Sequence, residues 1–198
     1  SMRRAIDAVR QGEAGGIVSA GNTGALMTIA KIVLKMVKGI DRPAIAGVFP
    51  SLRGESVTLD LGANIDCSAE NLVQFAIMGA AFARIVMGIK RPVVGLLNVG
   101  TEDLKGNENV KESSQILKNS QNDLPFEFFG FVEGSDIGPG TVDVYVTDGF
   151  YHSNDNEDTY LKFPTGDKFK LSAGGVEFIY AHQVDAGINK LIINDDNT

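Results

Sequence analysis

Short apolar segments that end in glycine and polar residues recur along the first 150 residues of this chain. Apolar segments of this length favour buried strands, and each glycine lets the backbone turn sharply before the next segment. Between them lie helical patterns, the longest over residues 68–87. This alternation predicts an α/β fold with three layers, in which helices cover both faces of a mainly parallel sheet.

The predicted strands before residue 150 are residues 17–18, 44–49, 56–61, 93–97, 126–132 and 142–146. The predicted helices are residues 5–9, 26–37, 68–87 and 108–118. The longest helix is apolar on nearly every side, so we expect it to be buried, either inside the monomer or at a subunit interface.

The charge of the chain limits the ligands that it can bind. It carries 18 Lys and Arg against 25 Asp and Glu, a net charge of −7. No part has the dense basic stripe that nucleic-acid binding needs, so we predict no nucleic-acid partner. An anionic ligand must therefore be held by a few local cations and backbone N–H groups. No apolar stretch reaches about 18 uncharged residues, so no transmembrane helix is predicted.

The sequence pattern changes after residue 150. A polar run over residues 151–158 is followed by short strand-like segments separated by turn signals. These segments are residues 160–163, 169–171, 175–180 and 191–193. We therefore expect two domains, an α/β domain over residues 1–150 and a β-meander tail of different origin over residues 151–198.

The turn at residues 19–25 is a candidate anion site. Its glycines allow close approach of the backbone to a ligand, and the first N–H groups of the following helix carry the positive end of the helix dipole. The candidate phosphate-binding residues are Ser19, Gly21, Asn22, Thr23 and Gly24. The alternative is a capped turn without a ligand, in which Thr23 is the N-cap.

Three further predicted strands end in glycine and polar side chains, where the functional residues of open α/β sheets gather. The polar residues placed there are Asp60, Asn64, Asn98, Lys105, Asn107 and Asp148. We expect these residues and the turn at residues 19–25, four strand ends in all, to surround one cleft. Lys105 is the best cation for an anionic ligand, although a solvated lysine is the alternative. Asp148 has the alternative role of anchoring a lysine.

Residues 1–150 contain no histidine, and His152 and His182 lack metal-ligand spacing. A Ser-His-Asp mechanism and a metal site are therefore not predicted. Cys67 lies near a predicted helix start, where a thiol is activated, but without a histidine partner a small buried residue is the favoured interpretation. A single cysteine forms no intrachain disulfide, and a reducing compartment is expected.

Seven motifs, in this order, closely resemble those of the bacterial phosphate acyltransferases of phospholipid synthesis, the PlsX family. They are residues 18–25, 41–44, 59–64, 74–79, 96–100, 105–107 and 147–150. The resemblance covers residues 1–150 and extends more distantly to phosphate acetyl- and butyryltransferases. It implies part of an acyltransferase core with a fold like that of isopropylmalate dehydrogenase.

The resemblance implies transfer of a fatty acyl group from acyl carrier protein to inorganic phosphate, giving acyl phosphate. It also implies a homodimer, a cytoplasmic location with possible contact at the inner membrane, and no organic cofactor. Hydrogen phosphate is a competent nucleophile near neutral pH, so positioning and charge neutralisation can do most of the catalysis. The assignments are Lys105, Asn64 and Asp148 as catalytic residues, and Asp60, Asn98 and Asn107 with the turn at residues 19–25 as substrate-binding residues.

Family members are much longer than this chain, and the resemblance stops after residue 150. We therefore expect a fragment with impaired turnover. The tail weakly resembles the β-rich repeats of phage fibre-like proteins. The alternative function is a non-catalytic chimera or structural chain whose tail is an interaction module.

Overall fold

The computed structural model describes residues 1–64, 67–100 and 106–148, and four strands between residues 160 and 193. The chain divides into two compact units, Ser1–Pro43 and Ala44–Thr198.

The first unit contains two helices, α1 over Met2–Arg10 and α2 over Thr23–Leu34. The helices contact each other, and Ile6 of α1 is buried. No residue of α2 is buried. The strand predicted at residues 17–18 is wrong, because this segment forms no regular structure and Val18 is fully exposed.

The second unit begins with the elements of an α/β sheet. In chain order they are β1 (Ala46–Ser51), β2 (Gly54–Leu59), α3 (Ala69–Val86), β3 (Val93–Leu97), α4 (Glu108–Asn119), β4 (Glu127–Val132), a 3-10 helix (Gly134–Asp136) and β5 (Val144–Val146). The prediction placed each of these strands and α-helices within a few residues of its observed bounds.

The five strands form one sheet in the order β1-β2-β5-β3-β4. β1 and β2 form an antiparallel hairpin, whereas β2, β5, β3 and β4 run parallel to one another. β5 therefore lies between β2 and β3, although it is the last of the five in the sequence. The predicted mainly parallel sheet is confirmed.

Helix α3 forms the centre of the core. Ser68 caps its start, since the Ser68 hydroxyl accepts from the Asn71 N–H and the Asn71 side chain accepts from the Ser68 N–H, at 3.3 and 3.2 Å. α3 is long and apolar enough by composition to cross a membrane. Eight of its residues are buried in this unit, including Phe75 and Gly79, so it packs as a core helix.

The two faces of the sheet are covered differently. Val57, Val94 and Val144 belong to an apolar cluster that also contains buried residues of α3 and α4. Tyr145, between two strand residues of that cluster, points to the opposite face and packs with Ile137 beside the 3-10 helix. Helices were expected on both faces. In the described part of this unit, both α-helices share one face and the 3-10 helix lies on the other.

A second sheet lies in the C-terminal stretch. It contains β6 (Tyr160–Lys162), β7 (Lys168–Ala173), β8 (Val176–Val184) and β9 (Ile188–Ile193). The strands pair antiparallel in chain order. The separate origin and domain status of this stretch stay predictions.

Candidate active site

The carboxyl ends of four parallel strands meet at one edge of the first sheet, which we call the carboxyl edge. β2, β5, β3 and β4 lie side by side and run in the same direction. Asp60 follows β2 directly, Asn98 follows β3 directly, and Asp148 lies two residues after β5. Since neighbouring strands are about 4.8 Å apart, residues that leave these three strands share this edge.

Asp60 supports the loop after β2 from inside and is fully buried, with 0% exposed. Its Oδ1 accepts hydrogen bonds from the N–H groups of Ile45, at 2.8 Å, and Ala63, at 3.1 Å. Its Oδ2 accepts from the backbone N–H of Asn64, at 2.7 Å, and from the Asn64 side-chain amide, at 2.8 Å. The carboxylate therefore ties this loop to the residue before β1 and fixes Asn64 at the carboxyl edge.

Asn107 joins the start of α4 to the end of β5. Its Oδ1 accepts from the N–H of Val110 at 2.8 Å, which makes Asn107 the N-cap of the helix. Its Nδ2 donates a hydrogen bond to Oδ2 of Asp148. Two residues predicted separately from two strand ends are therefore in direct contact.

Asn98 lies against the backbone of Gly106. The Asn98 Nδ2 donates to the carbonyl of Gly100 at 3.0 Å. Gly106 has a positive φ of 91°, and a Cβ at this position would overlap the Asn98 carboxamide oxygen and lie 2.8 Å from its Cγ. The turn before α4 needs glycine here both for its backbone conformation and to leave room for Asn98.

The candidate phosphate turn at residues 19–25 lies in the first unit. The Asn22 Oδ1 accepts from the N–H of Ala25 at 2.9 Å, and the Ser19 Oγ accepts from the N–H of Gly21 at 3.2 Å. Asn22 is therefore the N-cap of α2, and the alternative in which Thr23 is the N-cap is wrong on this point. A carboxamide at Asn22 completes the cap that the Thr23 hydroxyl was expected to make.

The N–H groups of Thr23 and Gly24 take part in none of the hydrogen bonds within the described residues. Both residues are exposed. Two backbone donors at the start of α2 are thus open to solvent, as an anion site requires.

Charge distinguishes the start of α2 from the starts of α3 and α4. Glu70 and Glu108 lie in the first turns of α3 and α4, whereas the first turn of α2 has no acidic residue. Residues 1–43 also carry seven Lys and Arg against three Asp and Glu. Since an acidic side chain already compensates the dipole at the starts of α3 and α4, the start of α2 suits a phosphate better than either of them.

The other predicted site residues are distributed as follows. Asn64, Asn98, Asn107 and Asp148 lie at or beside the carboxyl edge. Lys105 lies outside the described residues, and so do His152 and the side chain of His182. The candidate phosphate turn belongs to the other unit.

Cys67 is 2% exposed and belongs to the main apolar cluster. This position agrees with its interpretation as a small buried residue.

Sequence reasoning missed one connection at this edge. The N–H of Thr147 donates to the carbonyl of Leu59 at 2.6 Å, and Thr147 is buried. This bond continues the pairing of β5 with β2 up to the candidate residues. Sequence reasoning also grouped Asp60 with the ligand-binding residues, although an aspartate followed within four residues by glycine and asparagine is a signal for a side chain that accepts local backbone N–H groups.

The sheet and its edge define an α/β protein whose polar residues gather at the carboxyl ends of parallel strands. A family model described as "Fatty acid synthesis protein" matches residues 1–154. The chain therefore belongs to the fatty acid synthesis protein family, and the predicted resemblance is confirmed.

Curated relatives in this family carry the name phosphate acyltransferase. The protein of that name from Paramagnetospirillum magneticum is 61% identical over 150 residues, covering 76% of this chain and 42% of the relative. The one from Rhodospirillum centenum is 62% identical over 150 residues, with the same coverage. The chain thus spans about two fifths of the length of these relatives.

A solved structure of the EutD phosphotransacetylase from Staphylococcus aureus is similar to this chain with a TM-score of 0.56. The match covers 75% of this chain and 51% of that structure, at 16% sequence identity. This similarity supports the fold.

Proposed function

We propose that this chain carries part of the active site of a phosphate acyltransferase, which moves a fatty acyl group from acyl carrier protein to inorganic phosphate in phospholipid synthesis. In this reaction a phosphate oxygen attacks the thioester carbonyl carbon, the C–O bond forms and the C–S bond breaks. The products are acyl phosphate and the free thiol of the carrier, which takes up a proton. The names of the relatives support this reaction.

The observation that carries the proposal is the set of polar groups at the carboxyl edge. Asn64, Asn98 and Asn107 lie at or beside the ends of adjacent parallel strands, and each is held by hydrogen bonds within the described residues. Fixed amide groups can stabilise charge that develops on a carbonyl oxygen without reorganising during the reaction. We therefore propose that the carboxyl edge binds the acyl thioester.

The phosphate is proposed to bind at the turn before α2. The N–H groups of Thr23 and Gly24 are open there, and the first turn of α2 has no acidic residue that would repel the ligand. Lys105 belongs to the same proposal through its motif, as a cation for phosphate. Asp148 is tied to Asn107, so its proposed part is to hold that residue in place.

The partners and location belong to this proposal as well. Acyl carrier protein and phosphate are the proposed substrates, and a homodimer in the cytoplasm, in contact with the inner membrane, is the proposed setting. Ile85 and Val86 at the end of α3 are 83% and 63% exposed, which supports a subunit contact at that end of the helix.

The test is a phosphate-dependent assay of the purified 198-residue chain beside the Paramagnetospirillum relative. Acyl phosphate is trapped with hydroxylamine, and the released thiol of the carrier is measured separately. We expect equal amounts of both products, formed more slowly than by the relative and only when phosphate is present. Thiol release without trapped acyl phosphate would indicate hydrolysis and contradict the proposal.

A separate tail is the remaining part of the proposal. The family match ends at residue 154, which supports a boundary near residue 150. The four antiparallel strands that follow support a β-rich module over residues 151–198. Removing that stretch and repeating the assay tests whether the tail contributes to turnover or serves as an interaction module.

A further inference from the structure

Asp60 makes an unusual set of contacts for a residue at a candidate active site. Both of its carboxylate oxygens accept two N–H hydrogen bonds, and all four donor–acceptor distances lie between 2.7 and 3.1 Å. The side chain is completely buried. In the described part of the chain it forms no ion pair.

These contacts explain how a carboxylate is tolerated in the interior although no cation among the described residues pairs with it. Burying a charge is costly unless hydrogen bonds replace its lost hydration. Four N–H donors satisfy both oxygens, and hydrogen bonds to a charged acceptor are stronger than those between neutral groups. The side chain is therefore saturated by the protein itself and has no surface that a ligand can reach.

Charge also argues against direct contact with substrate. The proposed ligand is a phosphate, and a carboxylate next to it would repel it. The residue that links Asp60 to the carboxyl edge is Asn64, which donates to the same oxygen through both its backbone and its side chain. The side-chain bond orients the Asn64 amide, and the backbone bond holds the residue in place.

We propose that Asp60 is a positioning residue that acts through Asn64, holding the Asn64 amide in the orientation that the acyl-transfer reaction uses. This inference rests on the proposed function, since it assigns Asn64 a role in that reaction. It assigns Asp60 no contact with either substrate.

The kinetic test uses Asp60→Asn, Asn64→Ala and the double variant in the phosphate-dependent assay. Asn at position 60 keeps the size of the side chain. Its NH₂ group replaces one carboxylate oxygen and cannot accept hydrogen bonds from the N–H donors that face it. Misplacing a substrate-binding group by about 1 Å can lower turnover by about 100-fold. We expect a loss of this order in kcat, with the KM for phosphate little changed, and no further loss when Asp60→Asn is added to Asn64→Ala. Losses that multiply in the double variant would overturn the proposal.

The matched control is Asp143→Asn. Asp143 lies at the opposite end of β5, where its Oδ2 accepts from the N–H of Val93 at 2.8 Å. It also accepts a backbone N–H and in addition pairs with Arg53 at 3.4 Å, but it lies away from the carboxyl edge. We expect its substitution to leave kcat within about twofold of the unsubstituted chain, because it lowers stability without moving a group at the carboxyl edge. A kcat loss equal to that of Asp60→Asn would show that any lost aspartate bond has this effect, which contradicts the proposal.

A measurement that needs neither turnover nor a variant separates the two proposals. The side-chain NH₂ of Asn64 is observed by NMR in the unsubstituted chain, and its hydrogen exchange is compared with that of the exposed Asn119. Slow exchange of one Asn64 amide proton supports the bond to Asp60, and exchange as fast as that of Asn119 overturns it. If the chain forms no acyl phosphate, the proposed function fails, whereas this exchange rate still decides whether Asp60 holds Asn64.

Discussion

The side-chain amide of Asn107 donates a hydrogen bond to the carboxylate of Asp148, 41 residues further along the chain. The same asparagine caps α4 through its Oδ1. One side chain therefore links the start of a helix to the end of the central strand of the sheet, at the edge where the candidate site lies.

Substitutions at Asn107 can separate these two contacts. Asn107→Ser keeps a capping oxygen but loses the amide donor, whereas Asn107→Ala loses both. We expect Asn107→Ala to lower the free energy of unfolding by about 1 kcal/mol, typical for loss of an N-cap, and Asn107→Ser to lower it by less. Urea denaturation followed by far-UV circular dichroism measures both. Equal destabilisation by the two variants would indicate that the bond to Asp148, and not the cap, dominates.

Gly106→Ala is expected to displace Asn98. The alanine Cβ would overlap the Asn98 carboxamide, in addition to the strain of a positive φ. Gly88→Ala is the matched control, because Gly88 also has a positive φ, of 73°, with no atom within 4 Å of the added Cβ. We expect the first variant to lose about 1–3 kcal/mol more than the control, as in overpacking. A loss no larger than that of Gly88→Ala would mean that Asn98 moves aside freely.

Gly79→Ala tests the packing of α3 on the sheet. The added Cβ would lie 2.5 Å from Cγ1 of Val144 and 3.0 Å from Cδ1 of Leu59. We expect a loss of stability of about 1–3 kcal/mol, because the core has no room for another methyl group. Adding Val144→Ala removes the closer atom, so the double variant should be more stable than the sum of the two single losses predicts. Additive losses would place the strain elsewhere.

The raised pKa of Tyr145 leads us to expect that the folded chain loses stability at alkaline pH. Burial raises the pKa of its hydroxyl above the ordinary value of 10.0, and the nearby Asp136 raises it further, while hydrogen bonding to the Val142 backbone opposes the shift. Because the folded state holds this proton more tightly than the unfolded state, the contribution is fully present below pH 10.0 and is lost as pH rises towards the folded pKa.

Tyr145→Phe removes this titration, together with the bond that the hydroxyl donates to the carbonyl of Asp136 at 2.6 Å. We expect the variant to be less stable near neutral pH by about 1 kcal/mol. The difference between the two proteins should shrink as the pH is raised above 10.0. Urea denaturation at a series of pH values measures the free energy of unfolding of both proteins. A difference that stays constant with pH would contradict the raised pKa of Tyr145 in the folded state.

Phosphate is expected to bind at the start of α2. In a titration followed by ¹H–¹⁵N NMR, the backbone N–H signals of Thr23 and Gly24 should shift most, and sulfate should compete. Thr23→Asp places a carboxylate in the first turn, which favours the helix but repels the anion. We therefore expect the shifts to disappear in this variant while α2 persists, and Thr23→Ser to retain them. Shifts spread over all lysines instead would indicate nonspecific binding.

Local signals explain why most elements were predictable. Residues 93–97 form an apolar strand bounded by Pro92 and Asn98, and the observed β3 has the predicted bounds. The starts of α3 and α4 follow Ser68 and Asn107, which are good capping residues. The strand predicted at residues 17–18 was wrong. A strand must pair with a neighbouring strand, and two apolar residues in the sequence do not indicate whether such a partner exists.

The contacts within the candidate site were less predictable because they join distant parts of the chain. The spacing of strand ends indicated that Asn64, Asn98, Asn107 and Asp148 would share an edge, by the general rule for parallel sheets. The spacing did not indicate that Asn107 contacts Asp148. That contact depends on the position of β5 between β2 and β3. The hydrogen bonding of Asp60 likewise involves Ile45, the residue before β1, which lies 15 residues earlier in the chain.

The position of β5 has a consequence during protein synthesis. Residues 57–59 and 94–96 both pair with residues 144–146, so the ribosome must release residue 146 before the two parts of the sheet can join. At about 5–20 residues per second, translating residues 133–146 takes roughly one to three seconds. For that time the nascent chain carries two unjoined parts of the sheet with open strand edges, which can pair with other chains.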